Sequence, residues 1–451
     1  MFSFNYRKSG WLKRYLLMRV SNRFAIPEAY KEASGEDFTE EIFDDCLYAE
    51  VKENGMLLGC PVISESKHKL AETLNFPKQE GATILLYLET LFAIAIIENE
   101  CLSESNKNNS SITYQNRFLK IILLVLSFHL PGIYYRIPED SPLEELLTKN
   151  ETLEGALIKI EEALLKSVTL QGYSSLGNRQ NNFAFSKLYF FLLWARSIET
   201  SEQTSVPAVF IEMDTRLREE MIITFAALIW ADDYVDSAEQ QVIEKYIVQT
   251  GLPDSKQSEL ILKIGQPVKI EEIHSTSNSR IINCYVLEQL ILLSLINNQE
   301  AWQERELIEK IALQLELSED NLENLYCTVA DFFSAHKERL DFLKNNAAAQ
   351  QFLDYMNDKV VKIVRKNIDN IMNEIKETKE LSELLLKAAT QPLTAEEKIK
   401  VQEQLLDVAK SIPALAVFAL PGGGLLLPVL IKVLPFNILP SSFQDEPLSS
   451  H

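Results

Sequence analysis

The sequence predicts a mainly α, multi-domain protein, and three observations carry that reading. Glycine is scarce, 14 among 451 residues, while Leu, Ile, Glu, Lys and Ala dominate, as expected where helices with few tight turns do the folding. Apolar residues recur at three- and four-residue spacing, for instance Val361, Val364, Ile368, Ile371 and Ile375. The length allows two or three domains, each able to bury its own core. The expected order is a helical domain over 1–200, a second helical bundle over 206–330, and long helices with a candidate coiled coil over 335–410. An apolar segment over 411–443 and a short tail over 444–451 follow.

The formal charge of −21 sets up a field that repels phosphate backbones, so direct nucleic-acid binding is not expected. Cys46, Cys60, Cys101, Cys284 and Cys327 are scattered, with no CxxC pair and no neighbouring His cluster. They read as buried thiols of a reducing compartment. The N-terminal stretch lacks the apolar core of an export signal. Trp11, Leu12, Tyr15, Leu16 and Val20, interleaved with Lys8, Lys13, Arg14 and Arg19, suit a short basic amphipathic helix. Docking on the protein core is the favoured reading of that helix, and rest on a membrane surface the other.

In the first domain, apolar runs alternate with polar breaks at Ser103–Ser111 and Gly172–Asn182. Its most apolar stretches, Ile84–Ile97 and Leu119–Leu130, fall short of the roughly 20 residues that cross a bilayer, so they are expected to be core helices.

The second domain contains an internal echo. An apolar helix, a polar turn and an amphipathic helix run from Ile222 to Leu252, and the same order returns from Leu290 to Leu317. In the first copy Ser237 and Gln240 have the spacing of a capping box. Asp232, Asp236 and Glu239 cluster at its turn and could offer oxygen ligands to a hard divalent cation. The EF-hand pattern fails, since the sixth position counted from Asp233 is Ala238 rather than glycine. Negative charge at a helix start is also explained by the helix dipole, and that reading is preferred. The second copy carries Asn297, Asn298 and Gln299 with Glu300 and Glu304 instead. Ala231-Asp232-Asp233 with Asp236 and Glu239 before an apolar helix resembles the TerB-like domains of bacterial tellurite-resistance and stress systems. The resemblance implies a central TerB-like helical bundle whose acidic turn serves a metal or a protein partner.

Past residue 335 the seam of about two heptads, preceded by polar Asn357, suits either packing inside one chain or a homo-oligomer. Internal packing is favoured, because fewer than three or four heptads rarely hold a free coiled coil. Thr394 and Glu397 form a second capping-box pattern after Pro392 and predict a helix from Ala395 to about Lys410. That helix leads into Ile412–Ile431, which carries no charge. As one straight helix the run would cover about 30 Å of hydrocarbon. Pro421 and Gly422, Gly423 and Gly424 oppose a straight helix, so two half-helices dipping into a leaflet stand beside a full span. A buried hairpin in a helical core is the third alternative. Membrane lipid is the expected partner through 411–440, with Lys432 reaching the head groups. Positive charge flanks the run on both sides, with Lys398, Lys400 and Lys410 before it and Lys432 after, and the balance favours a cytoplasmic N-terminal side.

The segment resembles the membrane-entry region of the leucine-zipper EF-hand transmembrane (LETM) family. The matching residues are Leu385 to Ala388, Pro392-Leu393-Thr394, Glu396-Glu397-Lys398, Pro413, Leu427-Pro428-Val429, Lys432, Pro435 and Asn437 to Phe443, including Pro440. This resemblance, over about 60 residues, implies membrane attachment, a link to ribosomes or membrane-protein biogenesis, and cation homeostasis. Together with the TerB-like middle it suggests a bacterial, biofilm-associated type of protein at the inner membrane.

No GxSxG, GxGxxG, Walker loop, HExxH or kinase pattern occurs, and His68, His129, His274, His336 and His451 are isolated. Neither an enzymatic activity nor a resident cofactor is expected, a divalent cation at the acidic turn aside. The expected function is a membrane-associated scaffold or adaptor with an unidentified protein partner. A cation-transport component and a stress protein without an anchor are the alternatives.

Overall fold

A computed structural model describes residues 8–21, 40–53, 148–149, 151–170, parts of 183–193, 208–232, 234–235, 237–270, 273, 279–296, 302–336, 347–388, 391–416, 418 and 425–434. Among these residues every regular element is a helix. The chain forms two compact units that interleave along the sequence. The first takes 1–227 and 240–285, the second 228–239 and 286–451, so the expected 206–330 domain contributes to both. The stretches Ile84–Ile97, Leu119–Leu130, Ser103–Ser111 and Gly172–Asn182, with Cys60 and Cys101, lie outside the described residues.

In the first unit, α1 (Trp11–Ser21) packs on α3 (Glu151–Leu170), while α2 (Glu40–Glu53) lies between them in sequence. Trp11, Leu12, Tyr15 and Leu16 are buried, so the basic helix is docked on protein, as its apolar spacing favours. Its N-terminus is capped from far along the chain. The buried Glu161 carboxylate accepts the Gly10 N–H at 2.9 Å and the Leu12 N–H at 2.7 Å, satisfying donors that a helix start leaves open. Lys13 pairs with Glu154 at 2.9 Å beside it.

Three further helices carry the middle of the chain: α4 (Ala208–Ile229), α5 (Ser237–Gln249) and α6 (Asp254–Ile264). Within the first unit, Phe225 of α4 meets Tyr246 of α5 edge-on at 5.2 Å, and Phe185 meets Tyr285 at 5.1 Å. The α4 residue Arg218 is buried, and donates through Nε to Asp214 Oδ1 at 3.1 Å and through Nη1 to the Thr250 carbonyl. Ser186 donates to the same Asp214 oxygen at 3.0 Å, so this buried charge pair is tied to neutral partners as well.

The sequence echo appears as two closely matched helix pairs. After α7 (Arg280–Ile296) comes α8 (Trp302–Gln314), which has the same 13-residue length as α5. Both α5 and α8 end on a left-handed residue, Gly251 with φ 63° and Glu316 with φ 57°. After α8, the Leu317 N–H bonds the Ala312 carbonyl at 2.9 Å and the Glu316 N–H bonds that of Leu313 at 3.1 Å, a Schellman closure. After α5, the Thr250 hydroxyl intervenes, accepting from Leu252 N–H and donating to the Ile247 carbonyl.

The second unit continues with α9 (Glu319–His336), α10 (Ala347–Lys366), α11 (Ile368–Glu377), α12 (Lys379–Ala388) and α13 (Ala395–Lys410). The seam predicted as two heptads does not lie on one helix. Asn367 interrupts it, its side-chain Nδ2 donating to the Ile363 carbonyl at 2.9 Å, and Thr378 does the same to Glu374 at 2.9 Å. Such side-chain bonds compete with the main-chain ladder and end helices. Val364, Ile371 and Ile375 are buried, with α11, α12 and α13 packed on one another, so the seam closes inside the unit. Thr394 and Glu397 make the expected capping box on α13, at 3.2 and 3.0 Å.

Candidate functional site

The segment 411–434 is the most distinctive part of the second unit. Beyond α13, the Ser411 hydroxyl donates to the Val408 carbonyl at 2.8 Å, and Pro413 opens the four-residue helix α14 (Pro413–Ala416). The chain resumes in α15 (Leu426–Val433), eight residues long. Ile412, Leu415, Phe418, Leu425, Leu426, Leu427, Val429, Leu430, Ile431 and Leu434 are all buried. Both α14 and α15 pack on α10 and α13. Those two helices bury Leu353, Met356, Val360 and Val364, and Val401, Leu405 and Val408, at the three- and four-residue spacing of a single stripe. A helix apolar on nearly every face finds cover here on two sides, while Lys432 is left exposed.

The first turn of α15 has an unusual solution to its open donors. The Leu425 N–H donates to Asp331 Oδ1 of α9 at 2.8 Å, in a buried setting. Pro428, three residues on, has no N–H to satisfy. The carboxylate also lies at the positive end of the helix dipole. Asp331 is 6% exposed, a burial that its place in the sequence gave no reason to expect.

Of the expected geometries for the apolar run, the straight span is the one that the described helices do not form. No helix among the described residues is long and apolar enough to cross a membrane. Eight residues of α15 rise only about 12 Å. Pro413, Pro428 and Lys432 fall on or within these short helices, and Pro421, Gly422, Gly423, Gly424, Pro435 and Pro440 lie outside the described residues.

The acidic turn is only partly described. The main chain of Asp232 closes a 3-10 turn, Trp230–Asp232, that packs against α8, whereas Asp236 lies outside the described residues. Glu239, in the first turn of α5, is buried with 5% exposure rather than presented to solvent. Among the described residues no group of three or more His, Cys, Asp or Glu could hold a metal ion. The capping-box expectation for Ser237 and Gln240 is also corrected. Here α5 begins at Ser237 itself, and the Gln240 amide donates forward to Glu244 at 2.9 Å.

One constellation escaped sequence reasoning altogether. The Arg305 guanidinium lies 5.5 Å from the Tyr326 ring and 5.4 Å from the Tyr355 ring, bonding the Tyr355 hydroxyl at 3.1 Å and Glu309 at 3.2 Å. It ties α8, α9 and α10 together by cation–π contact. Only the Arg305–Glu309 spacing was visible beforehand, because the tyrosines come from other helices. Nearby, burial pushes the Cys327 thiol well above its ordinary range, which leaves it a poor nucleophile. Cys46 and Cys284 are buried thiols as well.

The architecture is thus that of a helical protein in two units, the second burying the described apolar residues between 412 and 434. No protein-family model, characterised protein or solved structure matches the chain.

Proposed function

We propose that this chain is a non-enzymatic helical scaffold or adaptor that attaches to membranes through its C-terminal segment, which is stowed in the second unit until lipid competes for it. The observation that carries the reading is the character of α15, where Leu426, Leu427, Val429, Leu430 and Ile431 are buried in succession and the single charge, Lys432, points to solvent. A helix apolar nearly all round is at home in a protein core or in lipid, and the same surface serves both. The uncharged run Ile412–Ile431 and the LETM-like pattern around it support the lipid half of that pair. Asp232 and Asp236 of the acidic turn are then candidates for contact with a protein partner.

The test is flotation of the full chain with phospholipid vesicles beside a chain ending at Lys410, followed by a carbonate wash. Full-length protein that stays with vesicles, beside a folded truncation that does not, supports attachment through the segment. A second reading, in which the segment is a permanent part of the core, is favoured by its burial. It expects the full chain to stay off vesicles and the truncation to lose cooperative unfolding of the second unit.

A further inference from the structure

We propose that Asp331 is the latch that holds the C-terminal segment in its stowed position, so that loss of the Asp331 carboxylate frees α15 without unfolding the unit around it. The inference rests on the reading above in one respect, that the stowed segment can leave its seat.

An eight-residue helix has too few turns to persist on its own, so α15 is held by what it touches. Apolar contact with α10 and α13 supplies most of that hold, and its driving force is non-directional. The bond from Leu425 N–H to Asp331 is directional, joins residues 94 apart in sequence, and sets where α15 starts. It is also coupled to the state of the segment. With α15 seated, the buried carboxylate accepts a charge-assisted bond and faces the positive end of a helix dipole. With α15 gone, both are lost, while the apolar stripes of α10 and α13 lose their cover. Removing the carboxylate therefore weakens the seated state. Hydrogen bonds to charged groups are among the stronger ones, so release should rise on the order of tenfold.

Hydrogen exchange read by mass spectrometry on the full chain tests this directly, with wild type, Asp331→Ala and Asp331→Asn compared. The expected result is roughly tenfold faster exchange of the 425–434 amides in Asp331→Ala. The amides of α5 should not change. Asp331→Asn, whose carbonyl still accepts the Leu425 N–H, should fall between the two and guards against a variant that fails to fold. Unchanged exchange over 425–434 overturns the latch, as does equal acceleration throughout α9, α10 and α13, which would make Asp331 an ordinary core residue. Flotation with phosphatidylcholine–phosphatidylglycerol vesicles separates the two ideas. Local release with greater vesicle binding supports both, whereas local release with no vesicle binding leaves the latch standing and overturns membrane attachment.

Discussion

Gly251 and Glu316 hold the same place in the two helix pairs of the chain, each in left-handed backbone two residues beyond the helix that precedes it. Glycine adopts that conformation without penalty, whereas a residue with a Cβ meets its own backbone. Glu316→Gly should therefore stabilise the second unit, by about 1 kcal/mol, provided the Schellman bonds survive. Gly251→Ala should cost a similar amount, and for backbone reasons alone, since a Cβ built there meets nothing within 4 Å. Thermal or denaturant midpoints of the two variants check both, and a loss in Glu316→Gly would mean that the Glu316 side chain contributes more than its backbone costs.

Glu161 makes stability depend on pH in an unusual direction. Burial pushes its carboxyl above the ordinary glutamate value of 4.5, against the pull of its bonds to the Leu12 and Gly10 N–H groups. A carboxyl raised in the folded state binds its proton more tightly there than in the unfolded chain. Its contribution is fully present below the ordinary value and is lost as pH rises through the raised one. Unfolding free energy followed upward from pH 4.5 should fall more steeply in wild type than in Glu161→Gln, which does not titrate. Glu161→Leu removes both acceptors and should cost about 1–2 kcal/mol below pH 4.5, the scale of a lost cap, and less as pH rises.

The pair Arg218–Asp214 and the pair Arg216–Glu220 share a helix and a spacing but differ in burial. The Arg218 and Asp214 side chains are 10% and 13% exposed, against 68% for Arg216. Asp214→Ala leaves the buried Arg218 guanidinium without its counter-charge, so a loss of about 3–5 kcal/mol is expected. Arg216→Ala removes an exposed partner from Glu220, whose side chain is 18% exposed, and should cost about 1 kcal/mol or less. Denaturant midpoints distinguish the two, and equal losses would show that burial does not set the difference.

How far the sequence could be read depended on whether the signal was local. The Thr394–Glu397 box was legible because both partners lie in one turn, and its bonds form as the spacing required. The Trp11–Leu16 stripe was legible because a helix repeats every 3.6 residues whatever it packs on. The Glu161 cap on Gly10, the Asp331 bond to Leu425 and the tyrosines around Arg305 were not legible, since each joins residues that only the fold brings together. The seam from Val361 to Ile375 stood between these cases. Its apolar spacing was plain, but Asn367 gave no sign that its amide would turn back on the main chain and end α10.

Residue spacing and composition were sufficient for the helical class, the doubled helix pair, the box on α13 and the apolar character of 412–431. All of these are properties of a few neighbouring residues, set by backbone periodicity and side-chain chemistry. The tertiary structure alone decided where the described residues of that run find their cover, and with which group the start of α15 is capped. An apolar surface carries no address: lipid and the stripes of α10 and α13 relieve the same unfavourable contact with water. In the folded chain the Asp331 carboxylate, 94 residues away, caps the start of α15.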